Sequence, residues 1–401
     1  MATLTLDQQL ALLLQGTEYG DANLARAMEN ELRAKLAEGR PLRVYCGYDP
    51  RTADLHLGHT ITMRKLRQFQ ELGHEVTFLI GSYTSLVGDP SDKDKTRPVL
   101  TPDEVNRNSE TYAGQAFRIL DPKKTRIRHN GEWLADLKLL DVIKLGQSFT
   151  LQQFLDRENF AKRWRKGEPI FLQETFYALM QGYDAVAQQT DVQVGGTDQL
   201  FNIVTAGRKL QEAFGQRPQV AIIMGILPGT DGVVKMSKSL GNHIPLNTTA
   251  EDMFGKVMSV PDVAMPKFFR LATRWTPDKI AEVETSLASG AHPRDVKMLL
   301  AWELVSSFYG DAAAAAAQEH FRTVFQKGGA PDEVPTIQLI GSPKLVDFLA
   351  ANDLVKSKNE ARRLIEQGGV KLEGQTVADV NAVASAGLLQ VGKRMFVKLE
   401  R

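Results

Sequence analysis

Apolar residues recur every three or four positions from residue 4 to residue 38, as in Leu10, Leu13 and Leu14 and again in Leu24, Met28, Leu32 and Leu36, until Gly39 stops the pattern. That period predicts helices. The spacing then turns to alternation. Leu42, Val44 and Cys46 are separated by Arg43 and Tyr45, a short strand ended by Gly47 and an Asp49-Pro50 turn. Ile61, Leu66 and Phe69 return to helical spacing up to Gly73, and Glu75 to Ile80 is apolar enough for a second strand. The outcome is a strand–loop–helix–strand unit.

Downstream, Pro102 to about Trp164 reads as mostly helical, with Phe149, Leu151, Phe154 and Leu155 clustered, and Asp92 to Arg97 as a loop of alternating charge. Phe171 to Tyr183 is an apolar helix. A strand from Asp191 to Val194 enters Gly195-Gly196-Thr197-Asp198-Gln199, which opens a helix through Lys209, and Val220 to Leu227 is a further apolar run. Residues 247 to 326 are helical by pattern. After the turn-rich stretch from Gly328 to Pro335 comes a compact tail. It has an apolar segment from Leu345 to Leu354, a Ser357-Lys358-Asn359-Glu360 capping box opening a helix that ends at Gly368-Gly369, and short strands Val370 to Leu372 and Met395 to Leu399.

Length and charge narrow the classes. At 401 residues the chain holds two or three domains. Its 49 basic and 48 acidic residues leave a net charge of +1, so any nucleic-acid binding must rest on local patches. The single cysteine, Cys46, excludes an intramolecular disulfide and multi-cysteine zinc sites, which fits a reducing compartment. No apolar run approaches the roughly 18 residues of a membrane span and the N-terminus lacks the pattern of a leader, so the reading is soluble and cytoplasmic, with no membrane partner.

The candidate chemistry lies in loops beyond the strands. His56-Leu57-Gly58-His59 places two imidazoles at the start of a helix, where unpaired backbone N–H groups and the positive dipole end attract phosphate, and Gly58 lets a ligand reach the backbone. A His-x-x-His pair can also bind metal, but no acidic or cysteine ligand accompanies it, so no protein-held metal is expected. Lys235-Met236-Ser237-Lys238-Ser239 puts two ammonium groups and two hydroxyls on a loop that can close over a polyphosphate. Asp89 ends another loop at the carboxyl end of a strand. Tyr177, Gln181 and Asp184, spaced four and three apart, share one helix face and would converge on one small ligand. Gly196 permits close backbone approach, and Asp198 could accept from ribose hydroxyls. In the tail, Lys344 to Arg401 has ten basic and seven acidic side chains, and Lys356, Lys358, Arg362 and Arg363 gather around the capped helix as a phosphate-binding patch.

The His-x-Gly-His and Lys-Met-Ser-Lys-Ser pair, in that order, resembles the two signature motifs of class I aminoacyl-tRNA synthetases, with Leu57 a conservative departure in the first and the second matching throughout. With Tyr177, Gln181, Asp184 and the basic tail, the resemblance is to the tyrosine-specific branch and runs along nearly the whole chain. It implies an α/β fold with a doubly wound, Rossmann-like parallel sheet, followed by an α-helical domain and a small α+β RNA-binding domain. The implied division is 1–245 for a catalytic domain with an interface insertion near 115–190, 246–327 for a helical domain facing the anticodon arm, 328–340 for a linker and 341–401 for an RNA-binding domain like that of a ribosomal small-subunit protein.

By position in those motifs, Tyr45 and Asp184 would bond the tyrosine phenol, Asp89, Tyr177 and Gln181 the ammonium group, and Gln199 the carboxylate side. Asp49, Gly58, Gly196, Asp198, Met236 and Ser237 would meet ATP, with His56, His59, Lys235 and Lys238 stabilising developing charge. The implied partners are tyrosine, ATP with Mg²⁺, tRNA(Tyr) and a second copy of the chain as a homodimer. One departure stands near Asp89: Ser85 replaces a glycine common in the family, and Tyr83 adds bulk. Two rivals stay open, a tryptophanyl-type synthetase or related nucleotidyltransferase, and a non-catalytic RNA-binding protein on a synthetase scaffold.

Overall fold

The alternating segment at residues 42–46 becomes the centre of a parallel sheet. The computed structural model describes residues 4–50, 55–91, 100–325, 334–392 and 395–400, so the charged loop read at Asp92 to Arg97 and the first part of the expected linker lie outside the described residues. Strands β1 (Arg43–Tyr48), β2 (Glu75–Ile80), β3 (Thr125–His129), β4 (Val192–Gly196) and β5 (Val220–Met224) lie in the order β3-β2-β1-β4-β5, every neighbouring pair parallel. The chain leaves β1 for one half of the sheet and returns to its other side with β4. That reversal opens a crevice at the carboxyl ends of β1 and β4. Both faces of β1 are covered, so Val44, Tyr45 and Cys46 are all buried, and the apolar–polar alternation did not mark a wet face.

The strand starts are fastened by Asp191. Its carboxylate accepts from Arg40 Nη1 and Nη2 at 2.8 Å, from Lys35 Nζ at 3.3 Å and from the Arg43 backbone N–H at 3.0 Å. These bonds hold it well below the usual carboxylate range against the opposing effect of burial. Phe69 of the helix Thr60–Glu71 and Phe78 of β2 are almost wholly buried, each contributing about 1.5–3 kcal/mol by the area it hides.

Strand β3 falls in the stretch that reads as mostly helical. Thr-Arg-Ile-Arg-His has one apolar side chain, and Ile127 itself is 37% exposed. An edge strand can be held by backbone pairing and an exposed ion pair such as Arg126–Glu75 at 3.0 Å, so hydrophobic periodicity has little to report there. The helix Leu172–Ala187 extends beyond the expected Tyr183. After β4 the expected helix is built in three parts, a 3₁₀ turn Thr197–Gln199, a π-helix Phe201–Gly207 and an α-helix Arg208–Ala213.

The described chain divides into two compact units, Met1–Asp311 and Ala312–Arg401. Helices Ala250–Met258, Met265–Ala272, Pro277–Ala288 and Pro293–Tyr309 complete the first. In the second, β6 (Thr336–Gln338), β7 (Val370–Leu372), β8 (Gln375–Thr376), β9 (Gly387–Val391) and β10 (Met395–Glu400) form a mixed sheet ordered β6-β10-β9-β7-β8, with helices Leu345–Ala351 and Lys358–Glu366. Thr336–Gln338, read as part of a linker, is thus a strand, paired in parallel with β10. The capping box is half formed. Ser357 accepts from Glu360 N at 3.2 Å, but the Glu360 carboxylate turns to Lys356 N at 2.8 Å and not to the Ser357 backbone.

Gly182 sets how closely the long helix meets the π-helix. A Cβ there would stand 2.8 Å from Leu210 Cδ1 and 3.1 Å from the Ala206 carbonyl carbon and oxygen. Gly182→Val should therefore destabilise the protein by about 1–3 kcal/mol, because backbone cannot step aside as a flexible side chain does, and this exceeds the roughly 0.5 kcal/mol of helix propensity gained. Urea denaturation measures it; an unchanged or higher midpoint would refute the close contact.

Candidate active site

A cavity of about 600 Å³ opens where β1, β4 and β5 end. Every residue expected to meet tyrosine lines it, namely Tyr45, Asp89, Tyr177, Gln181, Asp184 and Gln199, and so does every residue expected to meet ATP, namely Asp49, Gly58, Gly196, Asp198, Met236 and Ser237. Of the four charge-stabilising candidates, His56, His59 and Lys235 line the wall. Lys238 is exposed, at the head of the 3₁₀ turn Lys238–Leu240, and is not among the lining residues.

At the inner end, Asp184 is 3% exposed and accepts from Trp133 Nε1 at 2.8 Å and from Asn130 Nδ2 at 3.3 Å. Burial pushes its carboxyl up to about 8; the two donors pull the other way and the Asp49 charge adds to the rise. Tyr45, 1% exposed, reaches the same wall, and its buried hydroxyl has no protein partner. A buried hydroxyl without a bond costs about 1–3 kcal/mol, so this end of the cavity is shaped to receive a polar group.

Next comes a knot of carboxylates around Tyr177. The Tyr177 hydroxyl donates to Asp49 Oδ2 at 3.1 Å, and Thr84 Oγ1 donates to Asp49 Oδ1 at 2.9 Å. Gly81 makes room, since a Cβ there would lie 2.1 Å from Asp49 Oδ1. Asp89 accepts from Gln199 Nε2 at 2.7 Å and from Ser91 N at 2.8 Å, and Ser91 Oγ in turn receives Arg157 Nη2 at 2.9 Å. The Ser85 departure falls in the core, where its buried hydroxyl has no hydrogen-bond partner. Ser85 is fully buried in the short helix Thr84–Val87, and Gly88 at φ 82° turns the chain so that Asp89 faces the cavity.

The outer end belongs to the two motifs. His56 caps the 3₁₀ turn Leu57–His59, its Nδ1 accepting from Gly58 N at 3.2 Å, while His59 Nδ1 accepts from His56 N at 3.1 Å. With both Nδ1 atoms used as acceptors, each neutral ring carries its proton on Nε2. Gly58 is needed for the rings as well as for a ligand: a Cβ there would meet the His56 imidazole at 3.0 Å. Burial pulls His56 down to about 3, helped by His59, His243 and Lys235, and burial pulls His59 down to about 4. Both therefore act at neutral pH as uncharged N–H donors. Lys235 Nζ lies 3.8 Å from Asp198 Oδ2.

The loop carrying Lys235 is tied by Asn242. Its Oδ1 accepts from Ser237 N at 2.8 Å, and its Nδ2 donates to Asp231 and to the carbonyls of Val234 and Lys235 at 3.3 Å. Cys46 also lines the cavity, and burial pushes its thiol up to about 12, so it stays protonated and offers no nucleophile.

With this geometry fixed, comparison with known proteins is direct. Residues 37–326 match the family model described as tRNA synthetases class I (W and Y), and residues 326–397 match the tyrosine–tRNA ligase SYY-like C-terminal domain. The chain is 47% identical to the tyrosine–tRNA ligase of Thermotoga maritima over 92% of its own length and 93% of the relative's, and 48% identical to that of Haemophilus ducreyi over 96% and 99%. The chain belongs to the tyrosine–tRNA ligase family of class I synthetases. Its fold is that of solved family members. A C-terminally truncated Aspergillus nidulans mitochondrial tyrosyl-tRNA synthetase superposes with a TM-score of 0.64 at 21% identity, over 80% of this chain and 94% of that one. The Archaeoglobus fulgidus tyrosyl-tRNA synthetase complexed with L-tyrosine gives 0.61 at 23%, over 78% and 100%.

Several residues of this synthetase's site were not visible in the sequence. Asn130 and Trp133 directly follow β3, so missing that strand hid them. Thr84, Arg157 and Asn242 act on other side chains, and no spacing rule marks such residues. In the second unit Lys356, Lys358, Arg362 and Arg363 are all exposed, with Lys358 paired to Asp347 at 2.7 Å and Arg362 donating to Asn359 at 3.2 Å.

The depressed histidines give a signed prediction. Below pH 6.5 the unfolded chain takes up protons that folded His56 and His59 refuse, so their contribution to stability is present above about 6.5 and is lost as pH falls toward 4. The ring C–H resonances of both should stay flat between pH 8 and 5.5, and His56→Gln/His59→Gln should lose less stability than the parent over pH 6.5 to 5. A titration midpoint near 6.5 for either ring would contradict their burial.

Proposed function

We propose that this chain is a tyrosine–tRNA ligase in the full chemical sense: it joins tyrosine to ATP as tyrosyl-adenylate with release of pyrophosphate, then passes the tyrosyl group to the 3′ end of tRNA(Tyr). The observation that carries the reading is the inner end of the cavity, where Asp184 and the unpartnered Tyr45 hydroxyl face the same space. A phenol both donates and accepts. Its O–H would donate to Asp184, and Tyr45 would donate to its oxygen.

In this reading the ammonium group lies among Asp89, Tyr177 and Gln181, and Gln199 meets the carboxylate side. Asp49, Gly58, Gly196, Asp198, Met236 and Ser237 hold ATP, and Mg²⁺ enters with the triphosphate as part of the substrate. The tyrosine carboxylate attacks the α-phosphorus and pyrophosphate leaves. No side-chain nucleophile takes part; positioning and charge stabilisation do the work. His56 and His59 contribute N–H bonds, and Lys235 with Lys238 contributes positive charge to the departing phosphates. Lys238 reaches the site only if its loop moves inward, as lids on such sites do.

The partners follow from surfaces. Leu139, Leu140, Leu151, Trp164 and Leu172 are each more than 60% exposed within one stretch of the chain, which supports a second copy packing there as a homodimer. The exposed Lys356, Lys358, Arg362 and Arg363 suit RNA phosphates, and residues 246–327 would face the anticodon arm. No helix among the described residues is long and apolar enough to cross a membrane, and the proposed place of action is the cytoplasm.

The test lies in the phenol pair. Asp184→Asn keeps the size but replaces the carboxyl with an amide, whose NH₂ cannot accept, and should cut kcat/KM for tyrosine severely. Tyr45→Phe removes one hydroxyl and should cost about 1 kcal/mol, a several-fold loss in the tyrosine to phenylalanine ratio. Both are measured by amino-acid-dependent pyrophosphate exchange. If neither substitution alters that ratio, the phenol is not held here and the reading of the pocket fails.

A further inference from the structure

Asp89 dictates more than its own contacts. A carboxylate only accepts, so the Gln199 amide that approaches it at 2.7 Å must present Nε2. Gln199 Oε1 is then turned the other way, where Asn202 Nδ2 meets it at 3.0 Å. The same Nδ2 lies 3.0 Å from Gln181 Oε1. One acceptor thus fixes the orientation of three amides in sequence, Gln199, Asn202 and Gln181, each of which would otherwise be free to flip.

Asn202 is the pivot of this chain. It is fully buried on the π-helix Phe201–Gly207 and is not part of the cavity wall, whereas Gln181 and Gln199 both line it. Its own Oδ1 is buried with no hydrogen-bond partner. A side chain kept for stability alone would not leave that oxygen orphaned, since an apolar residue of similar shape avoids the desolvation cost. π-Helical turns are recurrently found where a functional side chain must be placed off the α-helical register.

We propose that Asn202 is a positioning residue for amino-acid recognition: by donating both of its amide protons it holds Gln181 and Gln199 with their oxygens inward toward itself, and so determines which face of each amide is offered to the substrate. The inference rests on the reading above that Gln181 and Gln199 face tyrosine. It assigns a role to a residue that touches no substrate.

Two substitutions separate positioning from packing. Asn202→Asp preserves size but can only accept, so Gln181 and Gln199 would turn their NH₂ groups toward it and Gln199 would direct Oε1 at Asp89. Asn202→Ala removes the donor and leaves both glutamines free to take either orientation. In pyrophosphate exchange with the full chain, KM for tyrosine should rise roughly tenfold or more in the Asp variant and about threefold in the Ala variant, with KM for ATP changed less than about twofold in each. A packing role predicts the reverse order, because alanine leaves the larger void, or parallel changes for both substrates; either result overturns the proposal. Should Asn202→Asp fail to fold, Asn202→Ala decides alone, and an unchanged KM for tyrosine rejects the assignment. Parent protein that gives no tyrosine-dependent exchange sinks the underlying functional reading. Parent exchange with unaffected variants sinks only the role of Asn202.

Discussion

Three carboxylates sharing one crevice set the terms for the rest of this site. Asp49, Asp89 and Asp184 all line the same cavity and all act electrostatically on the Tyr177 hydroxyl, which burial and those charges hold well above its ordinary range. Carboxyl groups so placed persist only if each is satisfied by donors, and even so burial lifts Asp184 to about 8. Asp49 takes Tyr177 and Thr84, Asp89 takes Gln199 and Ser91, and Asp184 takes Trp133 and Asn130. The donors come from across the unit: from the ends of β2 and β3, from the long helix and from the turn after β4. The sheet order that brings those ends together is therefore a precondition of the chemistry. A cavity of this polarity favours a cationic group in its middle and suits the ammonium of an amino acid.

The outer end follows a different logic. His56 and His59 are kept neutral by burial, so in the proposed function they serve as uncharged N–H donors and the positive charge comes from lysines on a separate loop. Asn242, which bonds four points of that loop, gives it a defined shape without using the side chain of either lysine.

Much of this was legible from residue order because the cavity residues lie in short motifs at strand ends, where Gly, Asp and His stand out against apolar strands. The strands β1, β2, β4 and β5 were visible for the same reason. β3 was not, since an edge strand of alternating basic residues carries no hydrophobic period. Its loss concealed Asn130 and Trp133, the two donors to Asp184. The half-formed capping box and the strand at Thr336–Gln338 were misread for a related reason: both are decided by tertiary partners, Lys356 N in one case and β10 in the other. Asn202 was beyond reach, because its meaning depends on a donor–acceptor chain that crosses three elements.

In the proposed function the cavity selects its amino acid by a hydroxyl held at its inner end. The most direct measurement is pyrophosphate exchange by the unmodified protein with each of the twenty amino acids in turn. Exchange with tyrosine and rejection of phenylalanine by a large factor are expected, since a site with buried groups aimed at a substrate hydroxyl leaves them unpaired around its analogue. Discrimination of roughly 10⁴–10⁵ is typical of such sites, tyrosine-specific synthetases being the reference case for that magnitude. Comparable exchange with phenylalanine, or a preference for tryptophan, would contradict it.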